Sequence, residues 1–186
     1  VISYEQDRGY VGAAAYPKFV GGLSFSGDWK GIDLSFLFQA GLGRDVALTG
    51  VYSGGIMDNT QMTKPFYHGG NSPKYLVENS WREDNTNAEF PRLSIVQASS
   101  NNANSSTFWY RSGDYLRLKN LQIGYTFPQK WMSRIGIDRL RIYFEGQNLW
   151  TVSELTKFNI DPEQPGVSNG YYPQQRIFSF GVNLAF

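Results

Sequence analysis

The chain has 186 residues, a formal net charge of +1 and 18% charged residues, so its overall charge makes no case for nucleic acid or an anionic surface as partner. It contains no cysteine, which excludes disulfide frameworks, thiolate metal sites and a cysteine nucleophile. No window approaches the roughly 18 apolar residues a membrane-spanning helix needs, whereas 16% aromatics and 20 glycines in an on-average polar chain suit a β protein with one wet face.

Residues 1–17 read as loop, with Asp7-Arg8-Gly9 and Pro17 as breakers. The start at Val1-Ile2-Ser3-Tyr4 shows no initiator Met or charged leader, so the chain reads as a mature fragment or the late part of a longer polypeptide. Strand alternation begins at 18–27, where Phe19, Leu23 and Phe25 oppose Val20, Gly22, Ser24 and Ser26. Gly27 to Gly31 supplies a turn, and 32–40 repeats the pattern with Ile32, Leu34, Phe36 and Phe38 on one face. The pair predicts a β-hairpin. A connection of about 70 residues, 41–113, follows; such a length marks a structured or functional insertion rather than a passive loop. It holds a low-complexity patch at Ala98–Thr107, and Ser72-Pro73 predicts a short helix over Lys74–Arg82.

A third strand is expected over 114–127, and its parity inverts. Leu116 and Leu118 are apolar at even positions, Leu121, Ile123, Tyr125 and Phe127 at odd ones. A β-bulge near Lys119-Asn120 would restore one apolar face; otherwise Arg117 and Lys119 stand outward above the membrane. After a modest connector at 128–138, a fourth strand over 139–150 places Leu140, Ile142, Phe144 and Trp150 outward and Arg141, Tyr143, Glu145 and Gln147 inward. A loop at 151–173 leads to the last strand, 174–186, where Phe178, Phe180, Val182, Leu184 and Phe186 share a face opposite Ser179, Gly181 and Asn183.

Connections therefore alternate short, very long, modest and long. Outer-membrane barrels have short periplasmic turns and longer external loops. This rule predicts an all-β, antiparallel up-and-down meander, with 41–113 and 151–173 extracellular and Phe186 at the periplasmic rim. The inward set Arg141, Glu145, Gln147 and Asn183 is expected to line a lumen, and Phe25, Phe36, Phe144, Phe180 and Phe186 to face lipid. The competing expectation is a soluble all-β glycan-binding module, in which those rings would be buried together. Two open edges on five strands further predict flanking strands from elsewhere.

Several motifs carry a family likeness: Tyr115-Leu116-Arg117-Leu118-Lys119-Asn120-Leu121-Gln122-Ile123-Gly124-Tyr125-Thr126-Phe127-Pro128, Leu140-Arg141-Ile142-Tyr143, Gly146-Gln147-Asn148-Leu149-Trp150-Thr151, Asp161-Pro162-Glu163, and Phe178 through Phe186. Lys30 to Phe36, Trp81, and Asn87 to Leu93 match as well. Together they resemble the late barrel of SusC/RagA-type TonB-dependent outer-membrane transporters. The resemblance implies a barrel of about 22 strands closed by a plug, of which this chain supplies the C-terminal strands and neither plug nor TonB box. It also implies import of oligosaccharides or peptides with a SusD-like surface lipoprotein, energy from TonB through the missing N-terminal region, and residence in outer-membrane lipid. Phe178, Phe180, Val182, Leu184 and Phe186 resemble the C-terminal signal read by the barrel-assembly machinery.

No nucleophile constellation stands out, and the chain reads as a non-enzyme without cofactor or metal. His68 is alone between glycine-rich neighbours and reads as loop structure. Glu83-Asp84 with Glu89 reads as solvated carboxylates that nothing orients, and Asp161-Pro162-Glu163 as turn chemistry rather than a calcium loop. Gly41-Leu42-Gly43-Arg44 lacks the strand–helix setting of a phosphate loop. The candidate ligand contacts are the loop aromatics Trp81, Trp109, Tyr110, Tyr171 and Tyr172, against the alternative that they brace loops or form an interfacial belt.

Overall fold

A computed structural model describes residues 6, 8–10, 14–48, 73–93, 106–164 and 174–186. His68, Ser72, Tyr171 and Tyr172 lie outside the described residues. The five long strands are β1 (Phe19–Trp29), β2 (Ile32–Leu42), β5 (Tyr115–Thr126), β6 (Arg139–Ser153) and β7 (Ile177–Ala185). They form one antiparallel sheet in the order β1-β2-β5-β6-β7, the expected meander. β3 (Asp45–Ala47) and β4 (Tyr110–Ser112) pair separately as a small second sheet. The long sheet does not close on itself. β1 and β7 are its two edges.

Register carries the alternation across every strand. Gly27, Leu34, Ile123, Phe144 and Phe180 align as one row, and Leu23, Phe38, Leu118 and Trp150 as another, all on the same face. On the opposite face Ser35, Gln122, Glu145 and Ser179 align. Only a bulge keeps these rows intact. Leu37 pairs with Asn120 while Phe38 pairs with Leu118, so Lys119 is the extra residue and flips the parity of everything before it. Opposite, β6 steps from Gln147 to Trp150 through Asn148, whose φ of 52° is left-handed. Arg117 is thereby on the polar face. The outward placement of Arg117 and Lys119 does not occur.

The apolar face has no second layer among the described residues. Phe180 is 83% exposed and Phe186 85%, and Phe25 is exposed as well, while Phe36 and Phe144 are half-covered only by neighbouring rings of the same face. A soluble sandwich would bury these rings against another sheet. That arrangement is absent here. The polar face carries few apolar residues, Val20, Leu37 and Ile177 among them.

Local boundaries differ in three places. The β1–β2 turn is only Lys30-Gly31, both with positive φ (49° and 87°), because a two-residue turn of that hand matches strand twist. A Cβ on Gly31 would stand 2.6 Å from the Thr126 carbonyl oxygen, so glycine is required there. The helix α1 spans Lys74–Glu78 and stops short of Arg82, since Ser80 and Arg82 turn into bridges with Phe90 and Asn85. The 128–138 connector holds α2 (Gln129–Met132) and a 3-10 turn at Ser133–Ile135, ended by Gly136 at φ 74°.

The buried core sits off the sheet. Val46, Leu48, Leu76, Phe90, Trp109, Leu155, Phe158 and Ile160 pack together, joined by Tyr75 and Leu93. These residues come from 41–113 and from the start of 151–173, so the described parts of the two long connections fold as one cap at the loop end of the sheet.

Candidate functional site

The polar face and the cap above it bring together most of the charged groups that have partners. At the turn end, Asp33 of β2 and Arg141 of β6 meet across β5. Arg141 Nε donates to Asp33 Oδ1 at 2.8 Å and Nη2 to Oδ2 at 2.5 Å, a bidentate pair. The strand between them makes room with Gly124, whose Cβ would stand 2.5 Å from both partners. Higher on the same face, the Gln39 amide donates to the Tyr115 hydroxyl at 3.1 Å.

At the loop end, Arg117 is 3% exposed and is held on three sides. Its Nε donates to Thr151 Oγ1 at 2.9 Å and its Nη2 to Asp161 Oδ1 at 2.8 Å. Nη1 lies 2.7 Å from Glu163 Oε1, an ion pair without hydrogen-bond alignment. Lys119, the bulge residue, reaches the same Glu163 at 3.1 and 3.2 Å. Asp161 also accepts the backbone N–H of Glu163 and of Gln174, both at 2.9 Å, and Arg44 donates to the Pro162 carbonyl at 3.4 Å. The Asp-Pro-Glu segment is thus a turn, as expected, and in addition a latch that fastens the 151–173 connection to the sheet wall. Burial pushes the Asp161 carboxyl up, but the two N–H donors and the Arg117 guanidinium outweigh it and hold it below the usual carboxylate range.

A second network orders the cap. Glu89 accepts from the Tyr75 hydroxyl at 2.8 Å, from Arg111 Nη2 at 3.2 Å and from Lys157 Nζ at 3.1 Å. Arg111 also pairs with Glu154 at 3.6 Å and lies over the Phe108 and Phe158 rings. The expectation that nothing orients Glu89 is corrected: three donors do, all from segments distant in sequence or across a turn. Burial raises the Glu89 carboxyl, and hydrogen bonds from Tyr75, Lys157 and Arg111 with the Lys157 charge bring it below its ordinary value. The Tyr75 hydroxyl moves the other way, raised by burial and then by the Glu89 carboxylate. Glu83 and Asp84 are exposed, and Asp84 meets only Arg82, at 3.2 Å.

The candidate aromatics separate. Trp109 is 3% exposed, stacked on Phe90 at 6.1 Å and edge-on to Phe108 at 4.8 Å, so it braces the cap. Tyr110 is half-buried in β4, and Trp81 remains at the surface with its backbone N–H bonded to the Phe90 carbonyl. Phe178, Phe180, Val182 and Leu184 lie on the exposed apolar face, and Phe186, just past the end of β7, is exposed as well. Among the described residues no three His, Asp or Glu side chains converge as metal ligands. The arrangement offers a polar wall with fixed charges and a cap that packs on its own core.

No protein-family profile matches the chain. Curated relatives in Formosa agariphila do: TonB-dependent receptor P3 is 28% identical over 97% of this chain, and TonB-dependent receptor P26 is 25% identical over 97%. Among solved structures, the RagAB peptide importer in its open-open state matches with 26% identity and a TM-score of 0.63 over 94% of the chain. Its closed-closed state matches at the same identity and TM-score over 95%. The chain spans about 17% of the receptor P3 and 18% of the RagAB chain.

Proposed function

We propose, for a chain whose sequence and sheet both match a stretch of TonB-dependent receptor barrel, that it forms part of the wall of an outer-membrane nutrient importer. The carrying observation is the single open sheet, apolar and exposed on one face, polar and charged on the other, with both edges unpaired. Lipid covers the apolar face, further strands of the same barrel pair with β1 and β7, and the polar face looks into the lumen. In this reading the five strands are the C-terminal quarter of the barrel. The loop-end cap is extracellular and Phe186 lies at the periplasmic rim, because the short connections sit at that end. Oligosaccharides or peptides are the cargo classes, delivered by a SusD-like lipoprotein and driven by TonB. Trp81 and the aromatic pair Tyr171 and Tyr172 are the contacts to test first, with Tyr110 behind them; Trp109 acts as a brace.

The test is made on the complete gene product. It should fractionate with the outer membrane, require detergent, and migrate faster on gels when unboiled, as intact barrels do. Recovery in the soluble fraction as a monodisperse species would overturn the reading. Deleting the gene should abolish uptake of one of the two cargo classes and leave the other unchanged, which identifies the cargo.

A further inference from the structure

The net charge of +1 conceals an uneven distribution of partners. At the loop end, Lys74, Arg82, Arg111, Arg117, Lys119 and Lys157 each meet a carboxylate of the chain itself. At the turn end, Arg141 is matched by Asp33. Lys30, Lys130, Arg134 and Arg139 are exposed there, and among the described residues no carboxylate lies within ion-pair distance of any of them. These four come from different connections: the β1–β2 turn, α2, the 3-10 turn that follows it, and the first residue of β6. The topology brings them to one rim.

Large apolar residues lie on the same rim. Trp29 is 67% exposed at the end of β1, Trp131 56% and Ile135 65% in the connector, and the apolar face reaches this end through Ile32, the β2 partner of Trp29, and Ile142. Lys30 Nζ stands 4.5 Å above the Trp29 ring, so this ring and cation already share one site. Tryptophan prefers the headgroup level of a bilayer, and long cationic side chains keep their charge there while their stems cover apolar surface.

We infer that the turn-end rim binds the phosphate headgroups of anionic phospholipid in the leaflet around it, through Lys30 beside Trp29 and through Lys130 and Arg134 beside Trp131. The four cations outnumber the exposed Asp28 and Asp138 at this end, so the charge is complementary, and continuity with the lipid-facing apolar band places those headgroups within reach. This inference rests on the barrel reading. It adds a preference for an anionic headgroup, which the apolar face alone does not require.

The experiment uses the full-length protein in detergent and in phosphatidylcholine nanodiscs with and without phosphatidylglycerol. Native mass spectrometry counts retained lipid, and thermal unfolding records the shift on adding each lipid. Wild type should retain phosphatidylglycerol and unfold at a higher temperature with it than with phosphatidylcholine. The K130Q/R134Q variant should retain it about twenty-five-fold less, since each cation near an anionic surface adds about a factor of five. A loop-end control, Lys74→Gln, should behave as wild type. Equal retention by wild type and K130Q/R134Q overturns the inference, as does an equal loss in the Lys74→Gln control. If the rim instead receives an acidic periplasmic protein, the variant keeps its phosphatidylglycerol while losing that partner in crosslinking, which also overturns it. A protein that is monodisperse without detergent fails the barrel reading itself, an outcome distinct from a barrel with no headgroup preference.

Discussion

The sheet and the cap use the same kinds of residue in opposite ways. Phe25 and Phe180 on the sheet are exposed, whereas Phe90 and Phe158 in the cap are buried, with 2% exposure or less. Charges divide likewise: Arg117, Arg111 and Lys157 are drawn into networks at the cap, while at the other end Arg141 pairs with Asp33 and Lys30, Lys130, Arg134 and Arg139 meet no carboxylate among the described residues. The difference teaches that the cap solves its folding problem internally, as a small water-soluble domain does, by burying apolar groups against one another. Among the described residues the sheet has no such solution. In the proposed barrel its apolar face gains its stabilisation from lipid, and its edges from further strands.

That contrast can be broken at defined points, each measured in the full-length protein. The largest effect is expected from Arg117→Met, which leaves Asp161 and Glu163 facing a lost guanidinium. Breaking a buried pair one-sidedly costs roughly 3–5 kcal/mol. Hydrogen exchange of the Glu163 and Gln174 amides should accelerate by about a hundredfold or more, and unchanged rates would show that the latch does not hold the loop. Phe158→Ala should cost about 3–4 kcal/mol within the cap. Limited proteolysis would then cut the loops while the barrel stays intact on unboiled gels; simultaneous loss of both would mean the two regions are not separable.

Phe36→Arg sharpens the other side of the comparison. On a lipid-facing strand a mid-membrane arginine costs roughly 2–4 kcal/mol, against at most about 0.5 kcal/mol at a water-facing site. Folding into vesicles distinguishes the two. A pH effect should appear in the cap. Asp161 and Glu89 have carboxyls held below their ordinary values, so their stabilisation is present above those values and is lost as pH falls through the depressed ones. Tyr75 is raised, so its contribution is present below the ordinary tyrosine range and lost as pH rises through the higher value. Tryptophan fluorescence of Trp109 against pH should show both edges. Glu83→Gln, at an exposed site, should change stability by less than about 0.5 kcal/mol.

Much of the sheet was legible because strand facing has a period of two and needs no partner to be read. The parity break at Lys119 pointed to a bulge from local sequence alone, and the bulge is there. The cap was not legible. Its small β3–β4 sheet and its shared core join residues around 46, 76, 90, 109 and 158, and no local pattern couples such distant segments. Trp109 looked like a ligand contact because an aromatic in a loop has the same local signature whether it braces or binds. Glu89 looked idle because its donors, Arg111 and Lys157, arrive from later segments. A signal did exist for the latch: an inward Arg117 after the bulge, and two carboxylates in Asp161-Pro162-Glu163. Charge complementarity names such partners only after the loop has been brought back over the wall.

The sequence by itself determined which face of each strand is apolar, where the parity must break, and that connections alternate between short and long, because these follow from one-dimensional periodicity and chain length. Only the tertiary structure decided that two long connections share one core, that Arg117 and Arg141 find their carboxylates 44 and 108 residues away, and that four cations without a carboxylate partner among the described residues gather on one rim. Those depend on which strands lie beside one another. Hydrogen-bonded register carries that information, and side-chain order along the chain does not.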